Sequence, residues 1–574
     1  MRKIFALVLF SSLLQVKAQK ITTKVENSSF KETPTYYEII DWWKKLDALS
    51  PKVTMKAMGT TDAGFPLHLI LVNNKGYQDI KKIKQDNQRI IFVNNGIHPG
   101  EPDGIDASMM LVRDIVEKKV SLPDNITLAI IPVYNIGGCL NRSENYRVDQ
   151  NGPNAFGFRG NSQNYDLNRD FIKCDSKEAK TFTEIFHWLD ADIFIDNHVS
   201  NGADYQHIMT LLTTQHNKMG GSMGKYLHEV MRPAIYQSMQ LKNYPLIPYV
   251  NVWGNGPDKG WNEFWDSPRY GSGYGTLWNT FSFVTESHML KPYEQRVKGT
   301  YALMQSFIDF ASNNSAQLKL QKQKAELQTQ QQQEFPIKYR LDSITNTNYL
   351  FKGYEAGRTT SGVSGLQVLF YDKTKPYEKQ IPIYDHYQPV KFIKKPKAYI
   401  IPQGWVKVIE LLNLNQVKMQ ALKKDTSIHV EIYYIDNYKS SATPYEGHHL
   451  NSSVTLIKKE QKVNFRKGDI LIPMNQKANR FLIETLEPEA EDSYFVWNFF
   501  DGILGQKEGF SGYAFEPIAA EYLKQHPQLK AELEKKKATD AAFANSASAQ
   551  LNFVYMNSPF YEPDFKKYPV FRVL

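Results

Sequence analysis

Between about residues 25 and 311, short apolar runs alternate with longer segments of helical periodicity. This alternation restricts the possible folds more than any other property of the 574-residue chain. Segments 67–72, 90–95, 126–134, 193–197 and 281–285 read as short strands, because each is a compact run rich in β-branched and aromatic residues. Segments 103–119, 176–189 and 219–239 carry the spacing of helices between them. Strands separated by helices of that length predict an α/β fold, with a mixed, largely parallel sheet covered by helices on both faces.

A chain of this length exceeds one hydrophobic core and divides into two to four domains. Hydrophobic residues at 42% and aromatics at 13% supply a large interior and exclude a disordered chain. The polar tract 316–333, free of Pro and Gly, reads as an exposed linker helix spanning 315–334. It separates an α/β domain at 19–314 from a β-rich accessory region at 335–574, which has room for two subdomains. Many short β-type runs fill 335–464, and the last hundred residues return to mixed character. At the N-terminus, Arg2 and Lys3 precede an apolar stretch at 4–14 and small residues ending at Ala18, the pattern of a signal peptide over 1–18. The expected mature protein is exported, to a periplasm or the medium, with no segment long enough to span a membrane. The net charge of +9 is dispersed over 69 basic and 60 acidic residues without a basic stripe, which argues against nucleic-acid binding. In an oxidising compartment, Cys139 and Cys174 either pair or remain two buried thiols.

The chemistry-bearing residues fall where the apolar runs end, and in parallel sheets ligand sites gather outside the carboxyl ends of the strands. His98 and Glu101, three residues apart in Gly96-Ile97-His98-Pro99-Gly100-Glu101-Pro102, can give two ligands to one metal ion. His198, at the exit of 193–197, is the main candidate for a third. His187 sits inside a helical pattern, and His207 stays open as an alternative. Two His and one Glu leave a fourth position free, as in a catalytic zinc site. Glu286, ending 281–285, is placed to serve as a general base. In the intervening segment, Asn168 and Arg169 can clamp a carboxylate, and Arg159 can stabilise an oxyanion.

His98-x-x-Glu101, then Asp166-Leu167-Asn168-Arg169, then His198, then Thr285-Glu286-Ser287 resemble in order and context the zinc carboxypeptidases of the carboxypeptidase A type. The likeness covers roughly residues 30–312. It resembles the exported bacterial branch, where a stretch like Tyr270-Gly271-Ser272-Gly273-Tyr274-Gly275 precedes the catalytic Glu. The resemblance implies one zinc ion per chain held by His98, Glu101 and His198, with Glu286 as general base. It also implies that Asn168 and Arg169 bind the terminal carboxylate and that Arg159, nine residues before Asn168, polarises the scissile carbonyl. Asp166 would orient a zinc histidine, and either Tyr270 or Tyr274 would be the family's mobile tyrosine.

The expected function is that of an exported zinc metallocarboxypeptidase acting on peptides with a free terminal carboxylate. Its rivals are a zinc amidase or deacylase acting on acylated amino acids or cell-wall peptides, and a non-catalytic binding protein of the same fold. No acidic residue stands in 270–275 to demand a Lys or Arg side chain, which points to a neutral or aromatic one.

Overall fold

The computed structural model describes residues 21–574, so the expected signal peptide lies outside the described residues. An eight-stranded mixed sheet organises the N-terminal half. Its strands are β1 (Val53–Thr60), β2 (Pro66–Val72), β3 (Arg89–Asn94), β4 (Ile126–Ile131), β5 (Ile193–Ser200), β6 (Met209–Thr213), β7 (Leu246–Pro248) and β8 (Phe281–His288). The spatial order is β1-β2-β4-β3-β5-β8-β6-β7. The four central strands β4, β3, β5 and β8 run parallel, whereas β1, β2 and β6 bring antiparallel pairings.

Period-two alternation decides which side chain enters which core. Ile91, Val93, Ile193 and Ile195 pack into one interior with residues of the helices Asp103–Val116 and Tyr293–Asn313. Ile90, Phe92 and Phe194 face the other, under the helix Lys177–Leu189. Both faces of the central strands are therefore apolar, which is why those runs stand out in the sequence. The expected helix over 219–239 is broken into Gly221–Tyr226, a π turn at Leu227–Met231, and Arg232–Leu241. Pro233 has no N–H to give to the ladder, and the wider turn precedes it.

Helix Asp103–Val116 carries a buried acid, Asp106, which accepts the phenol of Tyr293. Burial pushes its carboxyl up to about 7. The folded state therefore holds a proton that the unfolded chain releases near pH 4. The associated stability is present at low pH and fades as pH rises through about 7. Asp106→Asn is expected to flatten the fall in melting temperature between pH 5 and 8, a difference on the order of 3 kcal/mol. Parallel melts of both proteins across that range check it, and identical slopes would contradict it.

Beyond residue 334 the chain is β-rich as expected, then helical near the end. A two-stranded sheet pairs Glu334–Leu341 with Tyr387–Lys394, and a six-stranded sheet seats the terminal strand Phe571–Val573 in its interior. The long hairpin of Thr347–Thr360 and Gln367–Tyr384 takes Trp261–Asn262 from the N-terminal half as a third, parallel strand. The helix Val406–Leu414 interrupts the β region, and most of 512–556 is helical.

The polar tract does form a helix, Ser315–Gln331, but it is not the exposed linker the composition implies. Leu318, Gln321, Lys322, Ala325 and Thr329 are buried along one stripe. Lys322 Nζ donates to the carbonyls of Asp190 and Ala191, at 3.1 and 2.6 Å. Amphipathic and small side chains make this packing face, so hydropathy alone misses it. One apolar core then runs unbroken from Phe92 and Phe182 to Tyr399, Phe481 and Trp497, joining the two halves.

Candidate metal centre and substrate cleft

The turn after β3 places His98 and Glu101. Gly96 adopts φ +64° there, and a Cβ on it would lie 3.1 Å from both Ile105 and Val133. The Glu101 N–H donates to the His98 carbonyl at 2.8 Å, closing the turn. Strand β5 delivers His198, and β8 delivers Glu286 directly beside it, since the two residues are register partners.

The sheet thus gathers what the sequence scatters. The ligand atoms of His98, Glu101 and His198 all lie within 4.8 Å of one another, and all three residues are buried. His98 Nδ1 stands 3.3 Å from one Glu101 carboxylate oxygen, and His198 Nδ1 stands 3.1 Å from the other. Behind them, His98 Nε2 meets Asp166 Oδ1 at 2.8 Å and His198 Nε2 lies 3.1 Å from Asp196 Oδ2. Carboxylates on the outer ring nitrogens favour protons there and turn the Nδ1 lone pairs inward. His98 Nδ1 is buried with no hydrogen-bond partner among the described residues. Two inward imidazoles, a carboxylate and an orphaned ring nitrogen fit a zinc ion.

The surrounding charges act differently on each of these groups. Burial opposes charge on Glu101, but Arg147 and His98 overcome it and hold the carboxyl well below its usual range. Burial likewise opposes charge on His198, and Asp196 and Glu101 outweigh it, raising the imidazole. Glu286 goes the other way: burial lifts its carboxyl to about 8 against the pull of His198. Its Oε2 is buried without a hydrogen-bond partner among the described residues.

A cleft of about 340 Å³ opens over this cluster, lined by His98, Glu101, His198, Glu286, Arg159, Asn168, Arg169 and Tyr270 among others. Its apolar wall comes from Leu212, Tyr249, Phe264 and Val284. A neighbouring cleft of about 440 Å³ shares His98, Arg147, Arg159 and Asn201 with it but does not reach Asn168 or Arg169. The two clefts therefore adjoin at those four residues, and Asn168 and Arg169 line the first of them. Arg159 reaches Asp166 Oδ2 at 2.9 Å and Glu101 Oε1 at 3.5 Å, so it borders the ligand cluster directly.

Three sequence candidates are placed elsewhere. Tyr274 is only 1% exposed, and its hydroxyl donates to Asn415 Oδ1 at 2.6 Å inside the core, so Tyr270 alone of the two tyrosines lines the cleft. Helix Gly271–Leu277 turns Tyr274 inward, one turn on from Tyr270. His187 is packed with Tyr274 and Asn415. His207 is fixed between the Pro245 carbonyl and the Lys352 N–H, at 3.0 and 3.1 Å, away from the ligand cluster. Cys139 and Cys174 are free, buried thiols, both pushed up to about 12 by burial.

Two participants escaped the sequence reading. Arg147 pairs with Glu101 Oε1 at 2.8 Å and comes from an irregular loop that carries no pattern. Asp196 did leave a trace, since it stands two residues before His198 on the same face of one strand. A second group of imidazoles, His216, His228 and His386, also converges, but it makes a poor metal cradle. Arg232 donates to His228 Nδ1 at 2.6 Å, which puts that ring's proton on Nε2. The rings of His216 and His228 also stack at 28°, so no nearby point lies in both ring planes.

Residues 39–218, which span the first strand exits and the donor set, match the family model for zinc carboxypeptidases. That segment contains His98, Glu101, Asp166, Arg169 and His198, with Glu286 beyond its end. Among solved structures, a metallo-carboxypeptidase from Burkholderia cenocepacia is 14% identical, with 48% of this chain and 69% of that one covered and a TM-score of 0.36. For carboxypeptidase A from Helicoverpa armigera the figures are 14%, 50%, 75% and 0.38. For a metallo-carboxypeptidase from Pseudomonas aeruginosa they are 14%, 49%, 68% and 0.37. No curated protein matches the chain.

Proposed function

We propose that this protein is an exported zinc metallocarboxypeptidase that removes the C-terminal residue of peptides with a free carboxylate. The observation that carries the reading is the convergence of His98, Glu101 and His198 beside Glu286, in a cleft that Asn168 and Arg169 also line. The sequence pattern at residues 1–18 supports export, and no helix among the described residues is long and apolar enough to cross a membrane.

Zinc held by His98, Glu101 and His198 would supply a Lewis acid that makes water nucleophilic near neutral pH. Glu286 Oε2 accepts the proton of the attacking water and passes it to the departing nitrogen. A carboxyl raised by burial suits both halves of that transfer, and a neighbouring divalent charge would draw it back towards the ionised form. Arg159 faces the developing negative charge on the carbonyl oxygen. Asn168 and Arg169 hold the terminal carboxylate, fixing which peptide bond is presented. The apolar wall of Leu212, Tyr249, Phe264 and Val284 accommodates an apolar terminal side chain.

The test is product analysis on paired peptides, unblocked and C-terminally amidated. Stepwise release of terminal amino acids is expected, with the unblocked member preferred by at least about a hundredfold, because an arginine left without its anion strongly disfavours the amide. Internal cleavage without terminal release would overturn the reading. Turnover confined to acylated amino acids or cell-wall peptides would replace it with the amidase alternative.

A further inference from the structure

The region beyond residue 334 reaches the Asn168/Arg169 side of the cleft through a tight turn. Strands Thr426–Ser440 and Asn451–Phe465 pair antiparallel. Between them the chain reverses at Tyr445-Glu446-Gly447-His448, closed by N–H···O bonds of 2.7 and 3.1 Å between Tyr445 and His448. Glu446 and Gly447 have φ of +49° and +80°, the double left-handed conformation of a two-residue hairpin turn. Glycine tolerates this freely, whereas Glu446 does so against its Cβ. A strained non-glycine residue persists only where its surroundings fix it, and such positions cluster at functional sites.

Its surroundings do fix it, and four of the contacts come from the segment that carries the cleft's polar residues. Glu446 Oε2 accepts the backbone N–H of Asp166 at 2.8 Å. Tyr445 Oη accepts Arg169 Nε–H at 2.8 Å. A Cβ on Gly447 would lie 3.0 Å from the hydroxyl of Tyr165. His448 Nε2 meets Asp175 Oδ2 at 2.7 Å.

The effect falls on Arg169. Its Nε is held by Tyr445, its Nη1 by the Asn168 carbonyl at 2.8 Å, and its plane rests 4.7 Å over the Tyr270 ring. Nη2 forms no hydrogen bond among the described residues. Three sides of the guanidinium are thus fastened, and one edge is left for a ligand. Tyr445 is itself braced, with Trp497 stacked beside it and Arg269, paired to Asp492 at 2.6 Å, over its ring.

We propose that Tyr445, supplied by the C-terminal region, is a positioning residue that sets the fork of Arg169 for the terminal carboxylate of the substrate. The inference rests on the carboxypeptidase reading and adds to it that the carboxylate subsite is built from both halves of the chain. Fixing a planar fork before binding removes an ordering cost that a free arginine would meet on each encounter.

The experiment uses the full-length, zinc-loaded protein and Tyr445→Phe, which keeps the ring and removes only the hydroxyl. The expected result is a KM about tenfold higher on unblocked peptides, kcat changed by less than about threefold, and the preference for free acid over amide reduced about tenfold. N-acetylphenylalanine, titrated calorimetrically, should bind about tenfold more weakly to the variant, while N-acetylphenylalanine amide binds both proteins alike. An unchanged KM, acid preference and acid affinity in a variant with the wild-type melting temperature would overturn the proposal while leaving the carboxypeptidase reading intact. A wild-type protein indifferent to the terminal carboxylate would overturn both, and that result is visible before any variant is made.

Discussion

Glu286→Gln is expected to lower kcat/KM on unblocked peptides by about a thousandfold or more, with zinc content unchanged at one per chain. Proton transfer by a positioned side chain contributes a factor of about 10² to 10⁴, and an amide of the same shape cannot accept the proton. The site gives no understudy. Glu101 is held ionised by Arg147 and His98 and is committed to the metal cluster. Asp166 and Asp196 face the outer nitrogens of the two histidines. Glu286 alone among the clustered carboxyls has a buried oxygen with no partner and also lines the cleft. Steady-state rates with metal analysis of the same sample decide the matter. Near-wild-type activity would remove Glu286 from the reaction, and a parallel loss of zinc would turn it into a structural residue.

His198→Ala should lose the metal itself, dropping zinc from one equivalent to none after dialysis and abolishing peptide hydrolysis within detection. Two remaining ligands cannot hold zinc in competition with water as three do. The substitution also leaves Asp196 fully buried with its imidazole gone, keeping only the side-chain amide of Asn94 at 3.0 Å. Loss of one member of a buried pair costs about 3 kcal/mol, so the variant should also melt earlier than wild-type protein stripped of zinc by a chelator. Elemental analysis gives the stoichiometry, and calorimetry of stripped wild type against the variant separates the two effects. Full zinc occupancy in the variant would contradict the assigned ligand set.

How much of this was readable beforehand depended on contrast. β3, β4, β5 and β8 are buried on both faces, so their compact, mostly apolar runs stand out. β1 has an intermediate burial pattern, and β6 and β7 are short, so none of the three stood out. His98, Glu101, His198 and Glu286 were legible because each follows or ends such a run. Tyr270 and Tyr274 look equivalent in sequence because a glycine-rich string gives no sign that a helix starts at Gly271, leaving Tyr270 as its extended N-cap on the cleft and Tyr274 inside the core. Arg147 reaches Glu101 across 46 residues from a loop without pattern. The hairpin tip at Tyr445 lies 276 residues from Arg169, and only the folded chain brings them together.

The stripe of Leu318, Lys322, Ala325 and Thr329 bears on how this protein can be taken apart. The obvious place to trim the gene is the glutamine-rich tract, yet ending the polypeptide before it would bare the surface on which that helix rests and strip two backbone carbonyls of the ammonium group that caps them. Dissection by composition would therefore produce fragments with raw, adhesive faces, and the two halves are better regarded as one product of expression.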